Sequence, residues 1–149
     1  MNPVSDISGI IGWFLLLFSF AWVGTCAMIS LAGGWHRLAK KYRSNSEASG
    51  ETVRFASMSI GTGLFPARYR RVLFVTVGSS GFGLSVVFFY RLLHPPLFIP
   101  WTDVEAVQAE RKWFSRHVAV TLRGFDKRLF FFGPAGRKIL ETFTALTPT

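Results

Sequence analysis

The sequence predicts a mainly β domain, carried on one N-terminal transmembrane helix and closed by a C-terminal helix. Three observations predict it. Ile10–Ala32 is an uncharged apolar run of 23 residues. After a basic stretch come about seven short segments rich in Val, Phe, Ile and Thr, separated by Gly, Pro and Ser turn signals. The closing segment, "GPAGRKILETFTALT", puts Ile139, Leu140, Phe143 and Leu146 on one helical stripe behind Pro134.

Composition bounds the class. Of 149 residues, 50% are hydrophobic and 16% aromatic, which excludes a disordered chain. A mean hydropathy of +0.33 is high for a water-soluble domain and points to lipid-facing surface. The formal net charge of +9 suits an anionic partner, either lipid headgroups or nucleic acid. Cys26 is the sole cysteine, so neither an intrachain disulfide nor a Cys-based zinc site can be drawn.

The run at 10–32 is long enough to cross a bilayer. A helix of that length covers about 34 Å, against a hydrocarbon core of roughly 30 Å. A cleavable signal sequence would want a basic start and a shorter apolar core. The opening "MNPVSDIS" carries only Asp6, which favours a retained anchor. No Lys or Arg precedes the run, whereas Arg37, Lys40, Lys41 and Arg43 follow it. The expected orientation therefore leaves residues 1–9 outside and the remainder cytoplasmic. Trp13 and Trp35 fall where an interfacial aromatic belt would lie. Gly24, Ala27, Gly33 and Gly34 would let a second helix approach.

Residues 33–51 read as a basic juxtamembrane segment and linker. Trp35, Leu38, Ala39 and Tyr42 share one helical face, and the other positions are largely basic. Two readings fit. One is a short interfacial helix against anionic headgroups, contacting them through Trp35, Arg37, Lys40, Lys41 and Arg43. The other is a solvated extension of the span. "SNSEASG" then reads as a flexible linker.

Val72–Tyr90, "VLFVTVGSSGFGLSVVFFY", is a second uncharged run. Its centre would place Gly and Ser, poor helix formers, at mid-bilayer, and its flanks suit strands. Of the 17 Lys and Arg residues, eight lie before Val72 and nine after Tyr90. A second crossing would put one group outside. A nucleotide loop fails as well, because the G-x-G-x-x-G order is absent and a strand follows. The expectation is a hairpin with strands at 68–77 and 82–90. Other strands are expected at 51–60, within "HPPLFIPW", at Gln108–Phe114, at 116–122 and at 128–132. "GTGLFPA" and "RGFDKR" read as loops.

Seven strands closed by a helix resemble the pleckstrin-homology (PH) superfold, with its GRAM and bacterial PH-like relatives. In "LFIPWTDVEAV", Ile99, Trp101, Asp103, Val104 and Val107 match an I-x-W-x-D-I-x-x-V stretch common in bacterial PH-like domains. The resemblance covers roughly residues 52–147 of the expected domain at 52–149 and implies a half-open barrel plugged by the helix. The whole chain also resembles small bacterial membrane proteins in which a "GGWxxLA" stretch follows the span. That likeness implies the bacterial inner membrane.

PH-type domains that bind inositol lipids often carry a basic residue on the first strand and a basic pair opening the second. Arg54 and Arg68–Arg70, with Arg71 beside them, fit that outline. Guanidinium forks suit phosphate oxygens, and in a bacterial membrane the targets would be ordinary anionic lipids. The alternative is diffuse charge attraction to the bilayer. His117 with Asp103, Glu105, Glu110 and Asp126 could in principle meet at a metal, but no H-x-x-x-H or H-E-x-x-H spacing exists. No cofactor and no metal are expected. Ser79–Ser80 lack a G-x-S-x-G context. No nucleic-acid-binding pattern accompanies the basic clusters, so lipid is the simpler anion. The expected function is a non-catalytic membrane-tethered module contacting anionic lipid headgroups, a membrane protein partner, or both. Strand addition of a peptide is the alternative. A small metal-binding enzyme is the rival class.

Overall fold

A computed structural model describes residues 3–45, 48–62 and 66–147. The expected linker and the "GTGLFPA" loop lie partly outside these residues. Helix α1 runs Pro3–Gly33, and α2 runs Trp35–Tyr42. Seven strands follow: β1 (Glu51–Ile60), β2 (Ala67–Val77), β3 (Gly81–Val86), β4 (Leu97–Pro100), β5 (Val104–Lys112), β6 (Ser115–Leu122) and β7 (Leu129–Phe132). Helix α3 (Pro134–Leu146) closes the chain.

Asp6–Gly33 of α1 is long and apolar enough to span a membrane. Only 11% of its most apolar window is buried, so it is not the core helix of the domain. Trp13, Phe14 and Phe20 are wholly on the outside. A different face, Cys26, Ser30 and Gly33, is buried against the domain. The two glycines at its end have separate reasons. A Cβ on Gly33 would overlap that of Ala67 on β2. Gly34 turns the chain into α2 with a φ of 91°, a left-handed conformation that glycine adopts without penalty.

The strands form one antiparallel sheet, ordered β4-β3-β2-β1-β7-β6-β5. The sheet curls into a half-barrel around a core whose largest fully buried side chains include Trp35, Phe82 and Phe131. Two bulges drive the curl. Between Val53 and Ala56, β1 spends three steps while β2 spends two, from Val75 to Leu73. Between Ala56 and Met58 the excess moves to β2, which takes four steps from Leu73 to Tyr69. Phe55 and Arg71 occupy these bulges with φ of 55° and 53°. Pro134 opens α3, whose Ala135 and Ile139 pack into the barrel.

Three expectations need correction. First, the apolar face of α2 does not lie on headgroups. Trp35 and Leu38 have no exposed surface and Tyr42 is buried, all within the barrel core. Second, the strand expected to reach Tyr90 stops at Val86, which pairs with Leu73. One further bond, from the Val87 amide to the Val72 carbonyl at 2.9 Å, precedes the β2 bulge at Arg71, and Phe88–Leu93 form a 3₁₀ segment instead. Third, the strand expected at Gln108–Phe114 is β5, which begins at Val104 and ends at Lys112. Pairing from Val104 to Lys112 against β6 sets these bounds, and Trp113–Phe114 form the turn.

Trp35→Ala removes a large, fully buried side chain. It is expected to cost about 3–5 kcal/mol of stability, whereas Lys40→Ala, at an exposed position, changes it by less than about 0.5 kcal/mol. Urea unfolding of the full chain in mild detergent, followed by circular dichroism, measures both.

Candidate functional site: a basic concavity and the helix–barrel junction

Arg68, Arg70 and Arg71 are all exposed on β2. They line one concavity of about 900 Å³ together with Lys112 and Trp113 of the β5–β6 hairpin. Neighbours in a regular strand face opposite ways. The left-handed Arg71 breaks that alternation, which lets Arg70 and Arg71 face the same space. The displaced Arg71 amide donates to Ser57 Oγ at 3.0 Å. Arg54 is elsewhere. It lines a second concavity of about 910 Å³ with Arg43, Arg91, Phe55 and Phe74. The four arginines thus form two sites.

Ion pairing sorts the remaining cations. Arg37 pairs with Asp126 at 3.0 Å, and Lys41 with Asp103 at 2.9 Å. Arg123 reaches Glu105, Arg128 pairs with Glu110, and Lys138 with Glu51. Among the described residues, no carboxylate lies within ion-pair reach of Arg68, Arg70, Arg71 or Lys112. Two members of the expected juxtamembrane set, Arg37 and Lys41, therefore clasp the barrel. Lys40 stays exposed, and Arg43 bridges to Leu97.

The rim of the basic concavity is aromatic. Trp113 is 82% exposed and Phe114 98% exposed at the hairpin tip. Trp113 has a φ of 53°, where a bulky side chain is strained. Arg111, Lys112 and Arg116 flank the tip. Reading Gln108–Phe114 as a strand concealed it. The legible signal was "KWFS", two large aromatics between two alternating runs.

The I-x-W-x-D stretch is structural. Ile99 is fully buried. Trp101 Nε1 donates to the Gly78 carbonyl at 2.9 Å, and its ring packs on Phe82 and Phe143. Asp103 accepts from the Tyr42 hydroxyl at 2.9 Å as well as pairing with Lys41. Its hydrogen bond to Lys41, ahead of that to Tyr42, holds the carboxyl below the usual carboxylate range. His117 meets Glu110 at 3.5 Å. Among the described residues, no three His, Cys, Asp or Glu side chains converge as a metal site.

His94 belongs to no sequence motif, yet it is 1% exposed at the junction of α1, α2 and the barrel. Its Nδ1–H donates to the Tyr90 carbonyl at 3.1 Å, because a carbonyl can only accept. Nε2 then accepts from the Tyr69 hydroxyl at 3.2 Å. Trp35 packs on both rings, 5.3 Å from each centroid, and donates Nε1–H to the Pro95 carbonyl. Burial pushes the Tyr69 phenol up, so it keeps its proton. Burial also lowers the His94 pKa from its ordinary 6.5, outweighing the opposing bond to Tyr90.

No family model matches this chain, and comparison with curated proteins finds no similar sequence.

The junction makes stability depend on pH. As pH falls through 6.5, the unfolded chain binds a proton at residue 94 before the folded chain does. His94 therefore contributes full stability above that value and loses it as pH falls toward the lowered folded pKa. Melting of the full chain in detergent is expected to shift downward below pH 6.5, and His94→Gln to flatten that slope. An equal slope in both chains would assign the dependence to another group.

Proposed function

We propose that the chain is a non-catalytic, membrane-tethered PH-like module of the bacterial inner membrane that binds phosphate-bearing lipid headgroups. The observation that carries this reading is the carboxylate-free convergence of Arg68, Arg70, Arg71 and Lys112 beside an exposed Trp-Phe tip. Guanidinium forks supply paired N–H donors for phosphate oxygens. Aromatic side chains beside basic ones suit the boundary between headgroups and acyl chains. The strain at Trp113 fits a residue kept for contact rather than for turn geometry. The strand order, with β4 and β5 at its two ends and α3 packed at one end of the barrel, supports the PH-like assignment.

The charge bias supports a cytoplasmic domain, since all 17 Lys and Arg residues follow the apolar run. Reporter fusions after Ser49 and after Tyr90 are both expected to be cytoplasmic. Opposite sides would overturn this topology.

Headgroup binding is tested by titrating the detergent-solubilised full chain with short-chain phosphatidylglycerol. Arg68→Ala/Arg70→Ala/Arg71→Ala is expected to weaken binding by at least roughly tenfold, because each charge-assisted bond contributes about 1.5–3 kcal/mol. Arg54→Ala is expected to leave it unchanged. Equal affinity of the triple variant and the parent would sink this site. The nine-residue edge strand β5 favours a second reading, in which a peptide partner adds a strand there.

A further inference from the structure

Phe88, Phe89 and Leu92 are 79%, 76% and 74% exposed, a concentration of apolar surface within five residues of one 3₁₀ segment. The segment stands against α1. Tyr90 packs on Trp22 with ring centroids 5.4 Å apart, and Ser30 Oγ donates to the Leu93 carbonyl at 2.9 Å. From Leu93 to Tyr90, the segment therefore climbs α1 from Ser30 toward Trp22, that is, toward the N-terminal end of the helix.

Those contacts fix a depth. The sequence-based span at 10–32 would place Trp22 and Tyr90 close to the middle of the bilayer, with the Leu93–His94 backbone in hydrocarbon. Asp6 limits how far the span can move outward. A span that begins just after it, at Ile7, reaches about 33 Å by Met28, enough for a core of roughly 30 Å. This register leaves Ser30 and Gly33, which pack on the domain, outside the hydrocarbon. Trp22 then lies about 9 Å inside the Met28 boundary. That is the depth to which interfacial apolar faces sink.

We infer that Phe88, Phe89 and Leu92 form a foot of the domain that dips into the inner-leaflet boundary beside α1. The occupant of this patch is the bilayer itself, because the patch continues the lipid-facing surface of a helix it already touches. Arg91 is exposed within the same segment, and its long side chain can return to the phosphate layer. The inference rests on α1 spanning a membrane and is independent of headgroup binding at Arg68, Arg70 and Arg71.

Depth-dependent quenching tests it in the full chain. In a Cys26→Ala background, Phe89→Cys, Phe18→Cys and Ser79→Cys each receive a nitrobenzoxadiazole probe. The chains are reconstituted into phosphatidylcholine–phosphatidylglycerol vesicles carrying nitroxide lipids labelled near the carbonyl or at mid-chain. At residue 89 the probe is expected to lose more fluorescence to the shallow label than to the deep one. At residue 18 the order should reverse, and at residue 79, in the exposed β2–β3 turn, neither label should quench. An unquenched probe at 89 with a quenched probe at 18 overturns the foot while the span stands. An unquenched probe at 18 removes the span and the foot together. Unlabelled Phe89→Cys should melt like its parent, because the side chain it removes is exposed.

Discussion

Trp35 sits with no exposed surface between Tyr69 and His94, and the connection between α1 and the barrel depends on that burial. The indole is the first residue after the turn at Gly34, so it has little freedom once α1 is placed. Its N–H is satisfied by Pro95, and the rings beneath it are satisfied by each other and by Tyr90. The indole N–H, the Tyr69 hydroxyl and both His94 ring nitrogens therefore each have a partner, which is what allows them to be buried. The close contact of Gly33 with Ala67 fixes the helix on the other side. Helix α1 is joined to the barrel by packed side chains rather than by a flexible connection.

That rigidity changes the meaning of the charge. Counting Lys and Arg after the span suggests a basic segment free to meet headgroups. Arg37 and Lys41 are instead engaged with Asp126 and Asp103, and they hold α2 to the barrel as Leu38 and Tyr42 hold it from within. The exposed ion pairs add little stability individually. Their larger consequence is distributional. With five acidic residues facing cations of α2, α3 and the barrel, positive charge without an ion-pair partner among the described residues is left in both concavities, at Arg68, Arg70, Arg71 and Lys112 in one and at Arg43, Arg54 and Arg91 in the other.

Most strand positions and α3 were legible, because alternation, turn residues and the Pro134 start are local signals. The paired strands β1, β2, β6 and β7 follow them closely. What was not legible depends on contacts distant in sequence. The stripe Trp35–Leu38–Tyr42 is amphipathic whether it meets lipid or a barrel, and only the barrel contacts distinguish the two. Val87–Tyr90 continues the β-like composition of Val86, yet β3 stops where its partner bulges. The site was half legible. Arg68, Arg70 and Arg71 stand out by charge, whereas Lys112 and Trp113 join them only through the fold.

The two bulges connect these points. Phe55 and Arg71 are non-glycine residues with positive φ, each costing of order 1 kcal/mol or more. A sheet without them would be flatter, and Arg70 and Arg71 would face opposite sides. With them, β1 and β2 bend in turn, and the bend ends the pairing of β3 just before Phe88. These two distortions of the ladder therefore have three results. They curl the sheet around Trp35, gather Arg70 and Arg71 in one concavity while Arg54 lines another, and release the apolar end of the "VLFVTVGSSGFGLSVVFFY" run to lie along α1. That run lacks charge for two reasons. Its first two-thirds supply core strands, and its last residues lie outside the barrel against the helix.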